Sequence, residues 1–352
     1  MIISASYKTD IPAFYGEWFM RRLRAGWCRT VNPYGRQVYT VNLRREADDE
    51  GREGVDGIVF WTKNVGPFMP HLAEVDERGY PFVVQHSING YPRALESRVV
   101  DASRAVGSVR EIAEGYGSRA VVWRYDPIVF TSLTPLEWHM ATFTRLAEQL
   151  HGAVREVVVS VAQLYQKTQR NMDAAAAAEG FDWTMHEQQS EQEGRELIRE
   201  LAKIARGHGI ALKVCAQERF LIPGLVEEAH CIDAAWFGGA YKRHGNRTEC
   251  ACSASRDIGE YDTCPHGCVY CYAVQHREKA LARYHRHNPD SEFLFEPDFP
   301  TIQVAPRAPR TKKAPASIEN AAPGRRQATS GGTRRKRVRA EASASQPPLL
   351  LP

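Results

Sequence analysis

Cys264, Cys268 and Cys271 stand at the spacing C-x3-C-x2-C inside CACSASRDIGEYDTCPHGCVYCYA, residues 250–273, a segment holding five of the eight cysteines of the chain. Three thiolates this close on a loop can wrap one corner of a compact inorganic cluster, and cysteine is the usual ligand of iron–sulfur centres. Pro265 keeps the start of the loop from coiling into a helix, and Gly267 admits an unusual backbone angle close to sulfur. The following stretch, YAVQHREKALARYHRH (272–287), predicts a helix with Arg283 and Arg286 at its basic end. Negative thiolates at its N-terminus would be favoured by the helix dipole. Three ligands on a four-iron cube leave one iron open, and an open position separates catalytic from structural metal sites.

Cys250 and Cys252 are extra to that trio. They could cap the cluster, hold a second metal or form a redox-sensitive pair. A tetrahedral zinc site on Cys250, Cys252, Cys268 and Cys271, in a structural or nucleic-acid-binding protein without redox catalysis, is the alternative. Cys28, Cys215 and Cys231 read as small core or loop residues, with Cys215 nearest the working rim described next.

Positioning such a loop takes a scaffold, and the chain alternates short apolar runs with helical patterns. Strands are expected at 2–7, 57–62, 81–87, 120–126, 156–161, 211–217 and 232–237. Several are continuous apolar runs, as parallel strands covered on both faces require. TPLEWHMATFTRLAEQLHG (134–152) predicts a helix with a capping box of Thr134 and Glu137, Pro135 at the first position and a stop at Gly152. Leu136, Met140, Phe143, Ala147 and Leu150 repeat there at helical spacing. Further helices are expected over 191–209, over NMDAAAAAEG, and from Asp10 and Pro12 to Arg24. The alternation argues for an α/β fold: a parallel (β/α) barrel, complete or incomplete, over residues 1–290.

In such barrels the chemistry sits at the C-terminal strand ends. Those ends carry Ser4, Ser6, Trp61, Lys63, Asn64, Gln85, Asn89, Arg124, Asp126, Ser160, Gln163, Gln217 and Glu218. Arg124, Asp126, Gln217 and Glu218 are the candidate catalytic residues. An ordinary hydrolase or lyase using Asp126 or Glu218 as a base stays open, with the cysteines as scaffolding. His86 alternates away from Gln85 and is expected to pack behind its strand.

Charge divides the chain. Residues 301–352 carry 11 Lys and Arg against two Asp and Glu, whereas the rest is mildly acidic. Pro, Ala, Ser, Gly and Arg dominate from about residue 300, too little apolar surface to offset ordering entropy, so this tail reads as disordered. TRRKRVRAE (333–341) could make weak contact with nucleic-acid phosphates. No apolar run approaches the ~20 residues a membrane span needs. No basic leader with an apolar core opens the chain, so a cytoplasmic, thiol-reducing location is expected.

CPHGCVYC resembles the radical S-adenosylmethionine signature, with Tyr270 directly before the last cysteine, and GCVYCYA is similar to the version in spore photoproduct lyase. Residues 1–273 further resemble the uncharacterised family domain of unknown function 1848, through TDIPAFY, IVFWTKN, NGY, WRYDPI and the cysteine segment. That family is noted for a radical-SAM-like cysteine cluster at its C-terminal end. The resemblance implies a 4Fe–4S cluster on Cys264, Cys268 and Cys271, with S-adenosyl-L-methionine chelating the fourth iron and Tyr270 against its adenine. It implies a substrate at the barrel rim and a reductant such as flavodoxin or ferredoxin. Ordinary radical SAM enzymes carry this loop after their first barrel strand, so a circular permutation is implied, with 232–237 as the opening strand. No Gly-Gly-Glu motif is present, which leaves Ser6, Thr9 and Asp10 as candidates to hold the methionine amine.

Overall fold

The computed structural model describes residues 1–303, apart from 33, 34, 164, 165, 184–186, 240 and 246–248. The basic tail therefore lies almost wholly outside the described residues. Among the described residues eleven strands form: β1 (Ile2–Ala5), β2 (Trp27–Val31), β3 (Gln37–Asn42), β4 (Gly57–Thr62), β5 (Phe82–Ser87), β6 (Val121–Ile128), β7 (Glu156–Val161), β8 (Ala211–Val214), β9 (Glu227–Glu228), β10 (Ser255–Asp257) and β11 (Ile302–Gln303). Eight helices accompany them: α1 (Ile11–Phe14), α2 (Gly16–Ala25), α3 (Met69–Glu77), α4 (Ala102–Tyr116), α5 (Leu136–Leu150), α6 (Gln166–Glu179), α7 (Glu187–Gly207) and α8 (Arg277–His285).

The fold is α/β. Its main sheet has eight strands in the order β10-β1-β4-β5-β6-β7-β8-β9, every pairing parallel. A second sheet of three strands, β11-β3-β2, has no counterpart in the expected elements. Side chains of the main sheet alternate between two clusters, as a period of two demands. Ile3, Ile58, Phe60, Val84, Trp123 and Val157 join the helices in the larger core. Ile2, Val59, Val83, Val122 and Val158 meet Ala229, Cys231, Ile232 and Cys252 on the other face. Gln85 on β5 donates to the Cys231 carbonyl at 3.1 Å, so this second face of the sheet is covered by the chain beyond β9. Between the edge strands β9 and β10 no ladder occurs among the described residues. The edges meet through Ser253 N–H on Ile232 O at 2.8 Å.

Most expected elements form, and the departures have local causes. Residues 234–237 make a 3-10 turn capped by Asp233 rather than a strand. The strand preceding the cysteine loop is β10, whose three polar-flanked residues carry no apolar run. Thr134 does not cap α5: its hydroxyl donates to Val129 O at 2.7 Å, and Pro135 takes the cap position. α8 starts at Arg277, so five residues separate it from Cys271 and its dipole does not open on the cysteine loop. The N-terminal helix breaks at Tyr15 into α1 and α2 and stops at left-handed Gly26.

Candidate functional site

At the C-terminal end of β1, Ser4 and Ser6 are buried and donate to one carboxylate, Asp257 of β10, each at 2.8 Å. Asp257 also accepts from the N–H groups of Tyr7 and Gly259 at 3.0 Å and faces the Lys8 ammonium at 3.4 Å. Sequence reading missed it, since no pattern distinguishes it from a surface acid. Next to it, Asp10 caps α1 through Ala13 N–H at 2.9 Å. Its other oxygen accepts from Lys63 N–H and His266 Nε2, both at 2.7 Å. Asp10 thereby ties β1, β4 and the cysteine loop together. Two buried polar atoms beside it, Thr9 Oγ1 and His266 Nδ1, have no partner among the described residues.

A second node sits between β4, β5 and the cysteine loop. The Lys63 ammonium donates to Glu96 Oε1 at 2.8 Å and Asn89 Oδ1 at 2.9 Å, and the Tyr270 hydroxyl donates to that same Glu96 oxygen. Burial pulls the Lys63 pKa down, but the neighbouring charges, Glu96 first, outweigh it and hold the ammonium above its ordinary range. Burial first, then the Glu96 charge, pushes the Tyr270 phenol well up, so it stays a donor. Glu96 and Cys268 form a bridge that docks the loop here. A cavity of 140 Å³ opens beside Lys63, Asn89, Tyr91 and Glu96. The larger recesses, 930 Å³ around Trp27, Tyr39 and Arg52 and 790 Å³ around Pro81, Phe82 and Trp236, lie away from these groups.

On the sheet face that meets Cys231, Arg124 holds Asp126 Oδ2 from Nη2 at 2.6 Å and from Nε at 3.1 Å. Its Nη1 reaches Gln85 Oε1 and Cys231 Sγ, both at 3.1 Å, and its guanidinium lies over Trp61. Ser160 donates to Asp126 Oδ1. The Gln217 amide is spent on the Val161 backbone, at 2.8 Å and 2.9 Å. Glu218 is exposed and starts a 3-10 turn, its N–H on Glu249 at 3.1 Å. His86 is fully buried behind its strand, and burial lowers its pKa to about 4.

The cysteines divide into two groups. Cys264, Cys268 and Cys271 feel one another electrostatically, and burial raises the first two thiols. Cys264 sulfur accepts from the N–H groups of His266 and Asp10, and Cys271 sulfur accepts from Ala273 N–H at 3.4 Å. Cys250 and Cys252 belong elsewhere: Cys252 hydrogen-bonds Cys231 and Cys250, and Cys231 Sγ lies 3.3 Å from Cys215 Sγ. The set Cys250, Cys252, Cys268 and Cys271 is thus split between two different apolar clusters. Among the described residues, no three His, Cys, Asp or Glu side chains are arranged to hold a metal ion as they stand.

Fold and site define an α/β protein with a parallel eight-stranded sheet whose C-terminal rim carries a buried polar network under a cysteine-rich loop. Residues 2–273 match the family described as Domain of unknown function (DUF1848), and the chain belongs to that family. No curated protein matches it. One solved structure, a candidate alpha-L-fucosidase from Bacteroides thetaiotaomicron, is 11% identical, covers 66% of this chain and 82% of its own, and superimposes with a TM-score of 0.27. A likeness at that level carries no inference. No helix among the described residues is long and apolar enough to cross a membrane.

Proposed function

We propose that this chain is a radical S-adenosylmethionine-type iron–sulfur enzyme, with a 4Fe–4S cluster on Cys264, Cys268 and Cys271 and S-adenosyl-L-methionine at the open iron. The observation that carries this reading is the loop's position: it follows β10, lies against the C-terminal rim and is pinned there through His266–Asp10 and Tyr270–Glu96. The donor set fits the group. Burial raises the Cys264 thiol, and the N–H groups aimed at Cys264 and Cys271 work against it, in the direction a sulfur ligand of a cluster needs. When bound, the cluster and its sulfonium would supply radical chemistry for hydrogen abstraction from substrate.

The residues around it would divide the remaining work. Asp10, Ser6 and Thr9 are the residues that would hold the methionine ammonium, and Thr9 Oγ1 has no hydrogen-bond partner among the described residues. Tyr270 is rigidly held by Glu96 and would offer its ring face to an adenine. Arg124 and Asp126 present a charged pair to a substrate on the sheet face that meets Cys231, where Trp61 helps exclude water. In this reading the sheet is a barrel split between β9 and β10 and circularly permuted. β10 then takes the opening-strand role next to β1. A flavodoxin- or ferredoxin-like reductant would deliver the electron, and the tail would add weak nucleic-acid affinity.

Anaerobic reconstitution with iron and sulfide tests this. The expected product is a brown protein that bleaches with dithionite and releases 5′-deoxyadenosine when S-adenosylmethionine is added. Cys268→Ala should lose the iron. A fully loaded protein that cleaves no S-adenosylmethionine under reduction would overturn the proposal.

A further inference from the structure

We propose that Cys215, Cys231, Cys250 and Cys252 form a second metal site, for one thiophilic divalent ion such as Zn²⁺, independent of the cluster loop. Three separate stretches of chain deliver these thiols: Cys215 directly follows β8, Cys231 follows β9, and Cys250 and Cys252 precede β10. They touch in series. Cys215 and Cys231 are 3.3 Å apart at sulfur, Cys231 hydrogen-bonds Cys252, and Cys252 hydrogen-bonds Cys250. Packing alone does not explain four neighbouring thiols, because an apolar residue would fill the same space without a weak, competing hydrogen-bond string. Gly245 lets the chain close over the group: a Cβ there would lie 2.2 Å from Cys250 Cβ.

Spacing selects the kind of metal. A tetrahedral ion with metal–sulfur bonds of about 2.3 Å places its four sulfurs roughly 3.8 Å apart. Thiols already in contact suit that arrangement, whereas a four-iron cube would have to push them outward. As they stand the thiols run in a string and do not enclose an ion. Loading rotates them inward, forms four metal–sulfur bonds and releases four thiol protons, with no change of oxidation state. Four thiolates on a divalent ion leave a net charge of −2, costly in an apolar interior. Arg124, 4% exposed, already donates to Cys231 Sγ at 3.1 Å and, although also paired with Asp126, would offset part of that charge. The location gives the site a purpose. Its ligands span the seam where β9 and β10 share no ladder, so the ion would clasp the two edges of the sheet.

The test uses the full chain, reduced, stripped of metal by a chelator and titrated with Co²⁺. The wild type, and a variant with Cys264, Cys268 and Cys271 all changed to Ala, should each bind one equivalent with the intense visible bands of tetrahedral thiolate cobalt. Retained binding in that triple variant separates this proposal from the cluster. Cys231→Ser and Cys252→Ser should weaken binding by more than the ~10-fold that losing an outer-shell partner costs. Should these variants fail to fold, stoichiometric Zn²⁺ added to the wild type should protect the same four thiols from alkylation, read by mass spectrometry. No cobalt bands in the triple variant, an unchanged spectrum in Cys231→Ser, or equal alkylation with and without Zn²⁺ would each overturn the site.

Discussion

Asp10→Asn is isosteric and asks one question: does a single carboxylate hold the cysteine loop on the rim? In the native chain Asp10 accepts three hydrogen bonds, from Ala13 N–H at 2.9 Å and from Lys63 N–H and His266 Nε2 at 2.7 Å. An asparagine keeps one acceptor oxygen and turns the other corner into a donor. If the oxygen stays on the helix cap, Lys63 N–H and His266 Nε2 face an NH₂ group inside a site that is 5% exposed at Asp10. Hydrogen bonds to a charged group contribute about 1.5–3 kcal/mol each, and a buried orphan donor costs a similar amount. If the amide flips, the cap is lost instead, at about 1 kcal/mol. The expected loss is therefore about 2–4 kcal/mol, a large share of the 5–15 kcal/mol typical of a folded domain.

Urea unfolding of wild type, Asp10→Asn, His266→Gln and the double variant measures it. The Asp10–His266 coupling should reach about 1 kcal/mol or more. Tyr15 on Thr263 O and Tyr272 on Tyr7 O, both at 2.5 Å, remain to tether the loop. The variant should therefore stay folded while amide exchange accelerates over 263–273. A loss below about 1 kcal/mol, or additive single effects, would refute the role given to Asp10.

Three further outcomes are expected. Gly267→Ala must place a Cβ at φ +75° and 2.3 Å from Ser97 Oγ, so unfolding measurements should show about 1–3 kcal/mol lost. Phe143→Ala empties a fully buried site where the ring stacks on Trp123 at 4.7 Å, and should cost about 3–5 kcal/mol in the same assay. Burial lowers the His139 pKa from 6.5 to about 4, with its ring between Tyr125 OH and Val129 O. The unfolded chain thus binds the proton first as pH falls. Each such histidine should leave stability full above pH 6.5 and remove about 1.4 kcal/mol per pH unit down to about 4, so His139 and the equally shifted His86 together roughly double that slope. Urea midpoints between pH 7 and 5 check this, and a flat profile would contradict it.

The long apolar runs announced their own structure. GIVFWT and EVVVSV became β4 and β7 with the expected bounds, because continuous branched and aromatic residues suit only strands covered on both faces. Asp10 with Pro12 marked α1 as plainly, since a capping acid and an early proline act within a few residues. β9 and β10, at two and three residues, left no such trace, for they exist only because neighbouring strands lend them partners.

The site divides along the same line. The C-x3-C-x2-C loop and the polar strand ends were legible because spacing and side-chain type are local properties of the chain. What sequence could not give is which distant groups converge. Asp257 under Ser4 and Ser6, Glu96 between Lys63 and Tyr270, and His266 on Asp10 are contacts across 33 to 256 residues. Separating Cys250 and Cys252 from the loop and placing them with Cys215 and Cys231 was likewise the work of the sheet. A residue's neighbours in space are set by strand order and alternation, and a cysteine carries no local mark of which face it will share.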